Sequence, residues 1–288
     1  MFSRGWSNSR CCENGLNEIE LTLYLVKLKK LSEVLKRKGK YFKVIIPPSK
    51  EEVYSERLPS KYSVENPTND YHLYTSGLKQ ANIEHWDLLD FYKSIMDTST
   101  YPVYSKTSVH WTNYGAQFTV LKLLDDMNAF FDKRLVSLAV KKINVSKFKN
   151  GDGDHELTLN LFSRIDTADF GYHFYDWKEP EKDLFKPKVL TIGDSYYWAM
   201  KGCYMLPFVY NDDSKYLFYY NTSYPTGKGH SQPVKTIDIV NEFKTCDAVV
   251  LINASHNLLG YPFGLDQDID KIIIGLEELP DVQKLIAQ

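Results

Sequence analysis

Two short stretches carry residue types able to do nucleophilic chemistry together. The first is Lys188-Val-Leu-Thr-Ile-Gly-Asp-Ser-Tyr-Tyr-Trp198, an apolar run that meets Gly193-Asp194-Ser195 and passes into an aromatic, helix-compatible segment. The pattern predicts a buried strand ending in a tight turn, with Ser195 at the strand's carboxyl edge, where open α/β sheets bind their ligands. Free N–H groups at the start of the following helix could stabilise an oxyanion there. The second stretch is Tyr101–Ala116, where His110-Trp111 stands on a loop just before a helix capped by Thr112 or Asn113. A serine nucleophile needs a base within hydrogen-bond reach, and a neutral histidine supplies one near pH 7. By itself Gly-Asp-Ser is ordinary turn chemistry. Its pairing with His110 makes a nucleophile the better reading.

Other residues take supporting places. Gly193 and Asp194 shape the turn, and Asp194 orders it rather than acting in the chemistry. For an oxyanion the backbone N–H of Ser195 is the first candidate and the Asn253 side chain the second. Trp111 and Tyr197 are expected beside the site; Tyr196, Tyr197 and Trp198 either flank a bound ligand or pack the helix onto the sheet. His256, in Asn253-Ala-Ser-His-Asn257, follows an apolar strand and could line the same crevice. His230 sits in a glycine-rich loop, and His72, His85, His155 and His173 have no partner pattern, so they read as surface or structural. No His, Cys or Asp spacing suits a metal, and no cofactor is expected. Gly151-Asp-Gly-Asp154 lacks the alternate ligands and terminal Glu of an EF-hand and reads as a plain loop.

The elements that must position these groups follow from periodicity. Leu16–Lys38 is an amphipathic helix stopped by Gly39, and Tyr41–Ile46 a buried strand closed by Pro47-Pro48. Helix, glycine, apolar strand is half of a βαβ unit and argues for a parallel sheet. Ser49–Leu58 is expected as a short helix with a Ser49/Glu52 capping box, then a loop, a helix over Leu73–Asn82, a strand over Ile83–Leu89 and a helical turn over Asp90–Met96. The helix after Thr112 runs to about Phe131, with Val120, Leu121, Leu124, Met127 and Phe131 inward. Residues 132–187 are the least regular: a strand pair or a strand and turn over Leu135–Val145, a helix over Leu157–Ile165, an aromatic strand over Phe170–Trp177. Beyond Ser195 come a strand over Tyr216–Asn221, a loop over Tyr224–His230, a helix over Val234–Lys244, a strand over Ala248–Ile252, and helices over Ile269–Leu276 and Val282–Ala287. The expected organisation is a disordered tail over 1–15 and a single α/β domain over 16–288, with an insertion around 132–187.

Bulk properties exclude several classes. The chain has 288 residues, enough for a substantial core, and balances 35 basic against 37 acidic residues. That balance argues against a nucleic-acid partner or an anionic-membrane binder. The 21 tyrosines suit wet grooves and sugar surfaces as well as cores. Adjacent Cys11 and Cys12 cannot bridge each other in the ordinary way, while a Cys203–Cys246 disulfide is left open. No apolar run reaches the length of a membrane span, and the first residues lack the apolar core of a signal peptide.

The order of Ser108-Val-His110-Trp111, Gly115-Ala116 and Gly193-Asp194-Ser195 resembles the SGNH-hydrolase-like acetyltransferases typified by AlgX and AlgJ and their DHHW-type bacterial relatives. The phrase Ile45-Ile-Pro-Pro-Ser-Lys50 adds to the likeness, which spans roughly residues 16 to 265. The resemblance implies a three-layer α/β/α, flavodoxin-like SGNH fold with a mostly parallel central sheet. It further implies a serine-dependent O-acetyltransferase or esterase acting on carbohydrate of the cell envelope or an exopolysaccharide. Its partners would be a carbohydrate acceptor and an acetyl donor, with a membrane-bound donor protein one option, and its location extracytoplasmic; it leaves the oligomeric state open. Ser195 takes the nucleophile's place and His110 the base's. The family's aspartate two residues before the histidine is Ser108 here. A serine hydroxyl can accept from the imidazole N–H but cannot stabilise an imidazolium as a carboxylate does. Three outcomes follow: another carboxylate substitutes, with Asp97 and Asp87 as guesses; a weaker Ser-His dyad operates; or the protein is a catalytically impaired glycan-binding or assembly protein.

Overall fold

In the computed structural model, which describes residues 17–59, 70–132, 135, 139–147, 151–159, 163, 165–176, 184–203, 206–260 and 262–281, helix α1 spans Glu18–Arg37. The Asn17 side chain caps it, accepting from the Ile19 N–H at 3.0 Å. Glu18 and Glu20 at its start and Lys36 and Arg37 at its end complement the helix dipole. Gly39, at φ 69°, takes the left-handed turn into β1 (Tyr41–Ile46), all of whose residues are buried. There follow α2 (Lys50–Val53), α3 (Asp70–Gln80), β2 (His85–Asp87), α4 (Leu89–Ile95) and α5 (Asn113–Phe131). Then come β3 (Ala139–Ser146), α6 (Asp154–Thr158), β4 (Phe170–Asp176), β5 (Val189–Gly193), α7 (Tyr196–Gly202) and α8 (Leu206–Val209). The chain closes with β6 (Lys215–Phe218), β7 (Thr222–Pro225), β8 (Gln232–Pro233), α9 (Ile239–Thr245), β9 (Ala248–Ile252) and α10 (Ile269–Glu277).

Seven strands form one sheet in the order β2-β1-β9-β5-β6-β7-β8, while β3 and β4 pair separately as an antiparallel ribbon. From β2 to β6 neighbours run parallel; β7 and β8 are antiparallel additions at one edge. β5 and β9 lie in register from Val189↔Ala248 to Gly193↔Ile252, and every residue of both is buried. Strands buried on both faces read as unbroken apolar runs. Alternation sends Ala248, Val250 and Ile252 into one core with residues of α5 and α7, and Val249 and Leu251 into another with residues of α1, α9 and α10. The result is an α/β/α arrangement around a mostly parallel sheet, the fold class expected from sequence. No described helix is long and apolar enough to cross a membrane.

Several expectations shift in detail. The helix expected over Leu157–Ile165 instead begins at Asp154 and ends by Thr158. Leu159 and Ile165 stand 60% and 52% exposed, and residues 160–162 and 164 lie outside the described residues. Leu121 points outward from α5 rather than inward. The strand expected over Tyr216–Asn221 stops at Phe218, where Tyr219 and Tyr220 turn the chain back into β7. A 3-10 turn over Val234–Thr236 precedes α9, which Asp238 caps through the Asn241 N–H at 3.1 Å. The segments 1–15 and Val282–Ala287 lie outside the described residues. Cys203 and Cys246 are free thiols in opposite cores, not a disulfide, and burial pushes both up, Cys246 to about 12.

Gly115, in the first turn of α5, lets the helix lie directly on the backbone of Val103; a Cβ there would sit 2.4 Å from the Val103 carbonyl oxygen. Gly115→Ala must therefore displace backbone. Chemical denaturation is expected to show a loss of about 1–3 kcal/mol, the usual range for overpacking.

Candidate active site

β5 delivers Ser195 to the carboxyl edge of the sheet. A Cβ on Gly193 would lie 2.2 Å from the Ile252 carbonyl oxygen, so only glycine lets β5 run this close to β9 as the turn begins. Asp194 is fully buried and accepts from the Tyr196 N–H at 3.0 Å, the Ala254 N–H at 2.7 Å and the Asn257 side-chain amide at 3.0 Å. Burial pushes its carboxyl up, against three donors that favour the ionised form. Its part is to lock the turn to the segment after β9. The N–H groups of Tyr196 and Tyr197 are both spent on Asp194, whereas the Ser195 N–H has no partner among the described residues.

His110 arrives from the opposite direction, on the loop that enters α5. The Thr112 hydroxyl caps α5 through the Gly115 N–H at 2.9 Å and donates to the Pro102 carbonyl at 2.7 Å. Lys50 donates to the carbonyls of Ser108, Lys106 and Ser105 at 2.7, 3.2 and 3.3 Å, gathering the loop from below. The Tyr196 hydroxyl donates to the Val109 carbonyl at 2.9 Å, and the Trp111 indole donates to the Tyr196 carbonyl at 2.9 Å. Nucleophile turn and base loop are thus stitched together on both sides of the reacting pair. The imidazole Nε2 stands 2.7 Å from Ser195 Oγ.

The other ring nitrogen, Nδ1, lies 3.2 Å from the Asp154 carboxylate. Asp154 comes from the loop Gly151-Asp-Gly-Asp154, inside the irregular region. The neighbouring Asp152 anchors that loop, accepting from the Asn113 N–H at 3.1 Å and the Tyr172 hydroxyl at 2.6 Å; burial pushes its carboxyl up to about 6. On the other flank the His155 N–H donates to the Thr107 carbonyl at 3.0 Å, and the Thr107 hydroxyl donates to Glu156 at 3.2 Å. Burial holds His110 below its ordinary value, while the Asp154 charge and hydrogen bond pull it upward. The imidazole is therefore neutral near pH 7, with Nδ1–H directed at Asp154 and Nε2 free to accept from Ser195. Serine, neutral histidine and orienting carboxylate together suffice for acyl transfer through a serine ester.

The structure brings Ser195, His110, Gly193 and Asp194 together and moves other expected residues away. Ser108 is not the partner of the imidazole: its Oγ accepts from the His110 backbone N–H at 3.1 Å, a local turn bond. Asp97 pairs with Arg57, and Asp87 accepts from the Leu89 N–H, so neither guessed carboxylate reaches His110. Trp111 is buried under the site rather than lining it, and so is Tyr197, packed 4.2 Å from the Tyr216 ring. Asn253 is wholly enclosed with no side-chain partner among the described residues, so it presents no donor to the crevice. His256 is exposed and stands against the Tyr196 ring at 5.6 Å. Sequence reasoning missed Asp154. The available signal was two aspartates interleaved with glycines, which fit no calcium loop, in a chain whose histidine lacked a carboxylate.

The profile of the family described as "SGNH hydrolase-like domain, acetyltransferase AlgX" matches residues 12–196, a span that includes His110, Asp154 and Ser195. A search of curated protein sequences returned no match. Among solved structures, the O-acetyltransferase domain of Pseudomonas putida AlgJ superposes with TM-score 0.57 at 16% identity, covering 90% of this chain and 93% of that one. Pseudomonas aeruginosa AlgX gives TM-score 0.55 at 16% identity over 92% of this chain and 62% of its own. Bacillus cereus PatB1 gives 0.51 at 15% identity over 86% and 93%. At these identities the likeness is one of fold.

Asp154→Asn keeps the shape beside Nδ1 but removes the charge, so kcat of the serine reaction is expected to fall by about 10²–10⁴-fold, as when an orienting carboxylate is lost. Ser108→Ala removes only a turn bond and should cost less than tenfold. Equal losses in steady-state ester turnover would assign the orienting role wrongly.

Proposed function

Because the chain belongs to the SGNH hydrolase-like acetyltransferase family of AlgX, we propose that it carries an acetyl group on Ser195 and passes it to a carbohydrate hydroxyl. The observation that carries this reading is the His110 imidazole bridging Ser195 Oγ and the Asp154 carboxylate. As Oγ attacks the donor's carbonyl carbon, its proton moves to Nε2. Asp154 steadies the imidazolium so formed, and the Ser195 N–H is placed to receive the oxyanion. The intermediate collapses to acetyl-Ser195, and the leaving group departs with the proton from Nε2. An acceptor hydroxyl then gives its proton to Nε2 as it attacks the acetyl carbon, and Ser195 leaves as the alcohol. Water in the acceptor's place makes the same site an esterase.

The non-catalytic reading rested on Ser108 standing where a carboxylate was expected. Asp154 in contact with Nδ1 favours the enzyme. An envelope or exopolysaccharide acceptor, and hence action outside the cytoplasm with the donor supplied at the membrane, is the setting that fits this chemistry. One structural relative, Bacillus cereus PatB1, has also been solved with a sulfonyl adduct.

The test uses 4-nitrophenyl acetate and a serine-directed phosphonate. The wild-type protein should turn over the ester and take the label on Ser195, and Ser195→Ala should do neither. A protein that neither hydrolyses nor labels would refute the reading. The acid limb of kcat/KM should fall below the ordinary histidine value of about 6.5, because His110 acts only when neutral and burial holds its pKa down. Asp154→Asn should move that limb lower still, since it removes a charge that raises the imidazole pKa.

A further inference from the structure

Three aromatic residues at the carboxyl edge of the sheet hold a backbone conformation that suits none of them. Tyr219 and Tyr220 occupy the two central positions of the β6–β7 turn at φ 47° and 48°, closed by the Asn221 N–H donating to the Phe218 carbonyl at 3.0 Å. Turns with positive φ at both centres are ordinarily built from Asn and Gly. Phe263, at φ 60°, adds a third such position. The other described non-glycine residues with positive φ are Asn82 and Asp132, types that tolerate it. Left-handed backbone at bulky residues persists only where the surroundings enforce it, and such positions gather at ligand sites.

The turn that carries Tyr219 follows the strand next to the one that ends at Ser195. Phe218 is in register with Gly193, and the Tyr219 N–H donates to the Gly193 carbonyl at 2.8 Å, two residues before Ser195. The Tyr219 ring meets Phe263 edge to face at 4.9 Å and Phe218 at 4.5 Å, and all three are only partly buried. Phe218 packs on one core and Phe263 on the other, while Tyr219 joins neither among the described residues. Tyr220 is tied down through its hydroxyl to Asp268 at 2.6 Å; the Tyr219 hydroxyl has no such partner among the described residues. By contrast Tyr196 and Tyr197 are buried, and Trp198 is enclosed edge-on by Tyr216, Phe218 and Tyr224.

We propose that Tyr219, buttressed edge-on by Phe263, forms the platform on which a pyranose ring of the acceptor lies while its hydroxyl reaches acetyl-Ser195. This rests on the acyl-transfer reading of Ser195 and names the acceptor side of that site. The C–H face of a sugar ring matches an aromatic face, and a tyrosine adds a polar tip for a sugar hydroxyl. The strained turn fixes the ring where a flexible loop would leave it mobile.

The experiment separates binding from chemistry. The full chain carrying Ser195→Ala is titrated with chitopentaose, cellopentaose and xylopentaose and followed by saturation-transfer NMR. At least one should bind through its ring C–H protons, and adding Tyr219→Gly should weaken it at least tenfold. In the catalytically intact protein, with 4-nitrophenyl acetate as donor, mass spectrometry gives the fraction of acetyl groups passed to that sugar rather than to water. That fraction should fall at least tenfold in Tyr219→Gly and in Phe263→Ala, and stay within threefold in Tyr219→Phe, which keeps the ring. A packing role predicts a lower melting temperature for Tyr219→Gly; the platform predicts no decrease, because glycine relieves the turn. No binding by any pentasaccharide, or binding and partition both insensitive to Tyr219→Gly, overturns the proposal. Absence of ester turnover and phosphonate labelling with binding intact would instead count against the Ser195 chemistry alone. A partition shift that tracks acyl-chain length of the donor ester, with sugar binding unmoved, would assign the platform to the donor and overturn the proposal as well.

Discussion

The 2.7 Å contact between His110 Nε2 and Ser195 Oγ is the interaction on which the rest of the site depends. It joins a strand end to a helix start, two places that sequence separates and only the packed fold brings together. Neither side chain is free to search for the other. Gly193 sets how closely β5 approaches β9, Asp194 fixes the turn, and Lys50, Tyr196 and Trp111 fix the loop that carries the imidazole. Positioning of this kind is where much of the advantage of a bound reaction arises, since an ångström of misplacement is costly in rate.

How much of this could be read beforehand depended on how each signal is encoded. Strands β1, β5 and β9 are buried on both faces, so they appear as nearly continuous apolar runs, and their elements were legible. Thr112 as cap and Gly39 as stop are local signals and were legible too. Ser195 and His110 were legible because each stands at an element boundary with a recognisable neighbour. The orienting carboxylate was not, for it depends on where an irregular loop returns in space. Asp154 is brought to His110 by Asp152 on the Asn113 N–H and by Thr107 on α6, contacts between segments with no shared periodicity. Tyr197 and Trp111 illustrate the opposite error. Both stand within two residues of Ser195 or His110 in sequence, yet the turn of α7 and the entry of α5 direct them into the core.

The region over 132–187 looked like an insertion because nothing in it repeats the strand-helix rhythm. In the structure its middle supplies Asp154, and β4 supplies Tyr172, whose hydroxyl holds Asp152. The sheet brings Ser195 and His110 together, and the irregular region adds Asp154. This division has a physical basis. A residue delivered by the sheet's own register must serve the core on alternate positions, whereas a loop can place a carboxylate with few constraints on its neighbours.

The balance of charge and burial explains why the carboxylate sits where it does. The His110 side chain is 23% exposed and that of Asp154 34%, so the pair keeps contact with solvent. Burial alone would make the imidazole a weak base, and the Asp154 charge and hydrogen bond offset that by pulling its pKa upward. Asp194, which is fully buried, meets the same constraint differently: it points its oxygens at three N–H donors on its own side of the sheet rather than at the imidazole. One aspartate therefore holds the turn and the other the imidazole. Burial keeps His110 neutral near pH 7, and Asp154 is placed to steady the ring in either protonation state.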